Sequence, residues 1–87
     1  MAKQGTGSVP EAISASLLRL GKALDAQGMV HKALTPYMKL IERYPGSQEA
    51  SAATERVLAI AEDLRKRGQH HMAMTVIDRL EVAHEGR

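Results

Sequence analysis

The chain has 87 residues, room for one small domain. It contains no cysteine, so neither a disulfide framework nor a thiolate metal site reinforces a core that at this length is marginal. Lys and Arg outnumber Asp and Glu by 12 to 10, a net charge of +2 with the signs interleaved, which excludes a polycation and reads as solvated helix faces.

Phe and Trp are absent and only two Tyr occur, so there is little on which a single-stranded nucleic acid could stack its bases. Residues 1–10 carry Lys3 but no apolar stretch behind it, so no secretory signal is expected. No run reaches the roughly 18 apolar residues of a membrane span. A cytoplasmic chain without membrane insertion is the expectation, in keeping with the lack of cysteine.

The first segment, residues 1–7, is polar and holds two glycines, which predicts a flexible tail. Ser8-Val9-Pro10-Glu11 then reads as a capping box with Pro in the first turn, the start of a helix. Behind it Ile13, Leu17, Leu20 and Leu24 recur at helical spacing with Gly21 on the same side, and Gly28 stops the helix. A second pattern follows at Val30, Ala33, Leu34, Tyr37, Leu40, Ile41 and Tyr44, and ends at Tyr44-Pro45-Gly46-Ser47. Pro36 lies inside it and predicts either a kink or a helix that begins at Thr35. Ser47 can cap a third helix with Glu49 in its first turn. Its apolar positions are Ala50, Ala53, Val57, Leu58, Ile60, Ala61 and Leu64, and Arg65-Lys66-Arg67-Gly68 closes it with cations and then glycine. The fourth helix carries Met72, Ala73, Val76, Ile77, Leu80 and Ala83, and residues 85–87 should fray. No segment alternates with period two. The expected fold is all-α, four antiparallel helices in one domain over residues 8–84.

A shift of forty residues lays the chain on itself. Leu18 falls on Leu58, Leu24 on Leu64, Gly28 on Gly68, His31 on His71, Ala33 on Ala73, Thr35 on Thr75 and Leu40 on Leu80. The matches fall on small and apolar positions, where helix packing is set, and predict two copies of one helix–turn–helix unit. The alternative is a generic four-helix bundle that has Ala and Gly at its helix contacts.

The first copy resembles a tetratricopeptide repeat. Leu17, Leu20-Gly21, Leu24, Gly28, Ala33, Tyr37, Leu40 and Pro45 stand at that family's spacing, although Leu replaces its usual large aromatics. The second copy departs further, with Ile60-Ala61 for the Leu-Gly pair and a repeat of forty residues where the family has about 34. The resemblance implies a short α-solenoid of two such repeats that binds another protein and has no catalytic role. It also implies a groove lined by the first helix of each pair: Ala15, Leu18, Lys22, Asp25 and Ala26 in one copy, Glu55, Leu58, Glu62, Arg65 and Lys66 in the other. Lys22, Arg65 and Lys66 would hold acidic groups of a partner.

Met29 and Met38 in the second helix, with Met74 and Val82 in the fourth, exceed what the core stripes need. Spare apolar groups on so short a solenoid predict a partner or oligomer patch, and flexible Met suits an adaptable one. The partner is then another protein or a second copy of the chain.

Chemistry finds little support. His70 and His71 are adjacent and do not share a helix face, and neither they nor His31 and His84 stand at i,i+4, so no metal site is expected. No nucleophile elbow or phosphate loop occurs, and no acid, base and orienting group come together in the sequence. Hence no enzyme activity, cofactor or small-molecule substrate is expected. The rival class is a small helix-turn-helix DNA-binding protein, for which the Arg65-Lys66-Arg67 cluster speaks. Against it, the second helix carries a proline and a broad apolar stripe where a recognition helix would be polar and basic.

Overall fold

A computed structural model describes the backbone of residues 2–85 and the side chains of residues 11–84. Met1 and residues 86–87 lie outside the described residues, and with them part of the expected tail and most of the expected frayed end. Four helices follow in order: α1 (Ala2–Ala26), α2 (Val30–Arg43), α3 (Gln48–Lys66) and α4 (His70–Glu85). No strand occurs among the described residues.

The two interhelical turns within the pairs are the same device used twice. After α1 the Gly28 amide donates to the Asp25 carbonyl and the Met29 amide to the Leu24 carbonyl, each at 2.9 Å. After α3 the Gly68 amide donates to Arg65 at 3.0 Å and the Gln69 amide to Leu64 at 2.8 Å. These are Schellman closures, and both need a left-handed residue: φ is +81° at Gly28 and +87° at Gly68. Ser47 caps α3 as expected, its Oγ accepting the Ala50 amide at 3.0 Å. The same hydroxyl donates to the Tyr44 carbonyl at 2.8 Å and so ties the end of α2 to the start of α3.

One expected helix start is corrected and one alternative is removed. The backbone is helical from Ala2, so Ser8 and Pro10 lie within α1 and do not open it. Proline already has helical φ, and its missing amide costs α1 only the bond to Thr6. α2 starts at Val30 and is helical through Pro36, which removes the alternative of a start at Thr35. Pro36 cannot donate to the Lys32 carbonyl. The helix persists because its apolar face is buried on both sides of that position, at Ala33, Tyr37, Leu40 and Ile41, and packing of such a face supplies most of a short helix's stability.

The helices pack in chain order. α1 packs on α2, α2 on α3 and α3 on α4, with further contacts of α1 to α3 and of α2 to α4. Among the described residues α1 and α4 do not touch. A closed four-helix bundle would bring them together, so the architecture is the open stack of a two-repeat solenoid. The narrowest dimension, 14 Å, fits two helix layers. Ala33, Tyr37, Leu40, Ala53 and Val57 are fully buried where the two pairs meet, with Ile41 and Ile60 beside them. Each fully buried large aliphatic contributes about 1.5–3 kcal/mol.

Gly21 explains the closeness of the first pair. A Cβ built there would lie 2.5 Å from Cε1 and 2.7 Å from Cδ1 of Tyr37. The ring of Tyr37 therefore lies flat against the backbone of α1, which only glycine permits. Small residues stand at the corresponding places of the second pair, Ala61 and Ala73, both buried.

The helix periodicity misjudged some faces. Ile13 and Leu20, expected in the core, are 43% and 51% exposed, and Leu58 and Met72 are 50% and 39% exposed. In an open stack the outer helices have no neighbour on one side, so apolar residues on that side stay in solvent.

Candidate functional site

One polar cluster lies where the two repeats meet. The Asp25 carboxylate, at the end of α1, accepts the phenol O–H of Tyr37 from α2 at 3.2 Å and Nε–H of Arg56 from α3 at 2.7 Å. Three helices are thus tied to one oxygen. The Asp25 side chain is 14% exposed and that of Arg56 45%. Burial pushes the Tyr37 phenol above its ordinary value, and the charge and hydrogen bond of Asp25 push it further. The same carboxylate, accepting the guanidinium hydrogen bond, holds Arg56 more firmly protonated. On the other layer Arg79 of α4 donates to Glu42 of α2 at 3.2 Å. Each layer therefore has one ion pair that joins the first repeat to the second.

The groove positions implied by the resemblance fare unequally. Leu18 is half-buried and packs against the core. Asp25 is occupied by Tyr37 and Arg56. Lys22 and Lys66 are exposed on α1 and α3. Glu62 and Arg65 are exposed and paired with each other, and the hydrogen bond from Arg65 lowers the Glu62 carboxyl below its usual range. Two of the set line clefts: Asp25 a polar one of about 460 Å³ that it shares with Arg56, and Leu58 a more apolar one.

The Leu58 cleft, of about 490 Å³, opens between α3 and α4 and is bounded by Thr54, Leu58, Ile77, Leu80, Glu81 and His84. Its lining was not visible as a site in the sequence. The available signal was the repeat itself: the residues forty places earlier are Ser14, Leu18, Tyr37, Leu40, Ile41 and Tyr44, all buried or half-buried beneath α3. In the second repeat no described helix covers the same surface, and it is open.

The apolar patch expected at Met29, Met38, Met74 and Val82 is corrected in one member. Met38 is 2% exposed and belongs to the core, where its flexible chain fills space between the repeats. Met74 and Val82 are 55% and 67% exposed on α4, and Met29 is 42% exposed at the turn after α1. Val82 borders a shallow depression with Glu42, Thr75, Asp78 and Arg79. At the opposite end of the stack Ala12, Ile13, Ser16, Leu17 and Leu20 form an apolar depression of about 300 Å³ on α1.

All four His are exposed, and no group of three His, Asp or Glu suited to a metal occurs among the described residues. No described helix is long and apolar enough to cross a membrane.

Two stacked helical hairpins closed by matching glycine turns, with large apolar residues open at both ends, define a short α-solenoid. Residues 15–47 match the profile of the tetratricopeptide repeat family, and this first hairpin is similar to such a repeat. The matched stretch covers the first hairpin from the middle of α1 to the Ser47 cap. Comparison with curated proteins and comparison with solved structures each gave no match. Tetratricopeptide repeats mediate protein–protein interaction.

Proposed function

We propose that this chain is a docking module, an adaptor, small accessory subunit or assembly factor of a larger cytoplasmic complex, and that it performs no catalysis itself. The observation that supports it most is the α3–α4 cleft. Leu58, half exposed, stands over Ile77 and Leu80 in an open apolar cleft whose counterpart in the first repeat is filled by a helix. An open apolar cleft between two helices is the kind of surface that an amphipathic partner segment occupies. The unit that docks is residues 8–84, with residues 1–7 and 85–87 outside it. Lys22 on α1 and Lys66 on α3 are exposed away from the cleft lining, and with Arg65, where its pair with Glu62 opens, they would take acidic groups elsewhere on the partner. Met29, Met74 and Val82 extend the apolar area available to it.

The DNA-binding alternative has less to stand on. Within the basic cluster Arg65 is paired with Glu62 and Arg67 with Asp63, so two of its three charges are already opposed by carboxylates. Tests of the two readings separate cleanly. Binding of native-source proteins by immobilised wild-type chain should be lost with Leu58→Glu and kept with a distant surface change such as Gln48→Glu. Equal capture by Leu58→Glu would refute the cleft as the docking surface. Tight duplex binding that survives raised salt would favour the DNA reading, because a purely ionic association falls steeply with salt.

A further inference from the structure

We propose that the α3–α4 cleft takes α1 of a second copy of this chain, so that copies stack head to tail and continue the solenoid. The proposal rests on the docking reading above and names the occupant.

The contact between the two repeats inside one chain is the template. There α3 lies over α1 and α2, with Ala53 fully buried and Ile60 at 2% exposure. Their equivalents forty residues earlier are Ile13 and Leu20 on α1, at 43% and 51% exposure. So α1 carries the apolar face by which α3 sits on a preceding repeat, and carries larger aliphatics there, with nothing over it. At the other end the cleft of Leu58, Ile77 and Leu80 is the seat that α3 occupies in the first repeat. Plug and seat are both present and both open in a single chain, facing away from each other. The four described helices cannot bring this plug into this seat, since α1 and α4 make no contact. Plug and seat meet between molecules, in a heterologous contact.

The charges agree with this arrangement. Around the seat, α4 turns Asp78 and Glu81 to solvent, where α2 has the buried Met38 and Ile41. Beside the plug, α2 turns Lys32, Lys39 and Arg43 to solvent. Lys39 is the equivalent of Arg79, which inside the chain pairs with Glu42. Between copies Lys39 comes opposite Val82, one helical turn from Asp78. The other internal pair, Asp25 with Arg56, maps onto Arg65 opposite Ser16. Its acid has become a base and its base a neutral hydroxyl, to which Arg19 donates at 3.1 Å, so Arg65 comes near Arg19 there and is opposed by its own Glu62.

Sedimentation of the full chain over a wide concentration range, with two variants, tests the proposal. The wild type should grow with concentration beyond a dimer, because a heterologous contact leaves one plug and one seat free at the ends. Leu20→Glu spoils the plug and Leu58→Glu spoils the seat, and each alone should sediment as a monomer. Both positions are about half exposed, and far-ultraviolet circular dichroism and a thermal melt verify that each variant is folded. An equimolar mixture should form a dimer and nothing larger, since one intact plug meets one intact seat. A self-complementary dimer through α1 alone would instead survive Leu58→Glu, and its appearance overturns the proposal. So does a wild type that remains monomeric up to millimolar concentration, or a mixture that yields no dimer. A monomeric wild type that still loses a foreign partner on Leu58→Glu overturns the stacking and leaves the docking function standing.

Discussion

Gly21→Ala puts the close approach of α1 and α2 to the test. The new Cβ would stand 2.5 Å from the Tyr37 ring, against the ~3.5 Å of an ordinary carbon–carbon contact, so the ring must withdraw by about 1 Å. Tyr37 is fully buried and its hydroxyl is tied to Asp25, so it has little room to yield. Overpacking of this kind costs about 2 kcal/mol. Stretching a hydrogen bond to a charged acceptor adds about 1.5 kcal/mol. Replacing glycine by alanine within a helix returns about 1 kcal/mol. The net expectation is a loss of about 2.5 kcal/mol, a fall in Tm of roughly 10–20 °C for a domain of this size. Urea and thermal unfolding followed by circular dichroism measure it. The same substitution in a Tyr37→Leu background should be neutral or stabilising, because the ring is gone and the propensity gain remains. An unchanged or higher Tm for Gly21→Ala with Tyr37 present would refute the reasoning, and would mean that the ring gives way at no cost.

Asp25→Ala should destabilise by about 1–2 kcal/mol, and in a double-mutant cycle its effect should overlap with that of Arg56→Ala, since both remove one link between the repeats. The Tyr37 phenol, raised above the ordinary value of 10.0 by burial and by Asp25, makes stability depend on pH in the alkaline range. Its folded pKa exceeds its unfolded one, so the folded state holds the proton longer; this contribution is complete below the ordinary phenol value and is lost as pH rises through the folded value. A pH series of urea melts should show that fall, and Tyr37→Phe should flatten it. Gly28→Ala and Gly68→Ala should each cost about 1–2 kcal/mol, from left-handed backbone alone, because a Cβ at either position meets nothing within 4 Å. Gly46, also open but with no positive φ, should accept alanine with little change in Tm.

What could be read from sequence was mostly local. Gly28 and Gly68 announced the turns because a Schellman closure needs a left-handed residue wherever it occurs. Ser47 announced the start of α3 because an N-cap is a bond between neighbours in the chain. The forty-residue echo, with small residues at Gly21, Ala33, Ala61 and Ala73, announced two like hairpins, since close helix pairing demands small side chains at fixed spacing. Pro36 was legible as a defect and not as an outcome. Its lost bond is local, but the burial of Tyr37, Leu40 and Ile41 that holds α2 together comes from three other helices.

The site was less legible for the same reason. A helical stripe shows which residues share a face and not whether anything covers it. Ile13, Leu20 and Leu58 have the same character in sequence as Leu40 and Ile60, yet the first three are open and the last two buried. Met38 and Met74 look alike as spare methionines, but one lies between the repeats and the other on the outer side of α4. Asp25 gives no sign in the sequence that Arg56, thirty-one residues on, will meet it. Helix identity, turn chemistry and repeat register are determined by interactions among near neighbours, and the sequence by itself determined them. Exposure, the joining ion pairs and the open cleft depend on which helices stack on which and where the stack stops, and these only the tertiary structure decided.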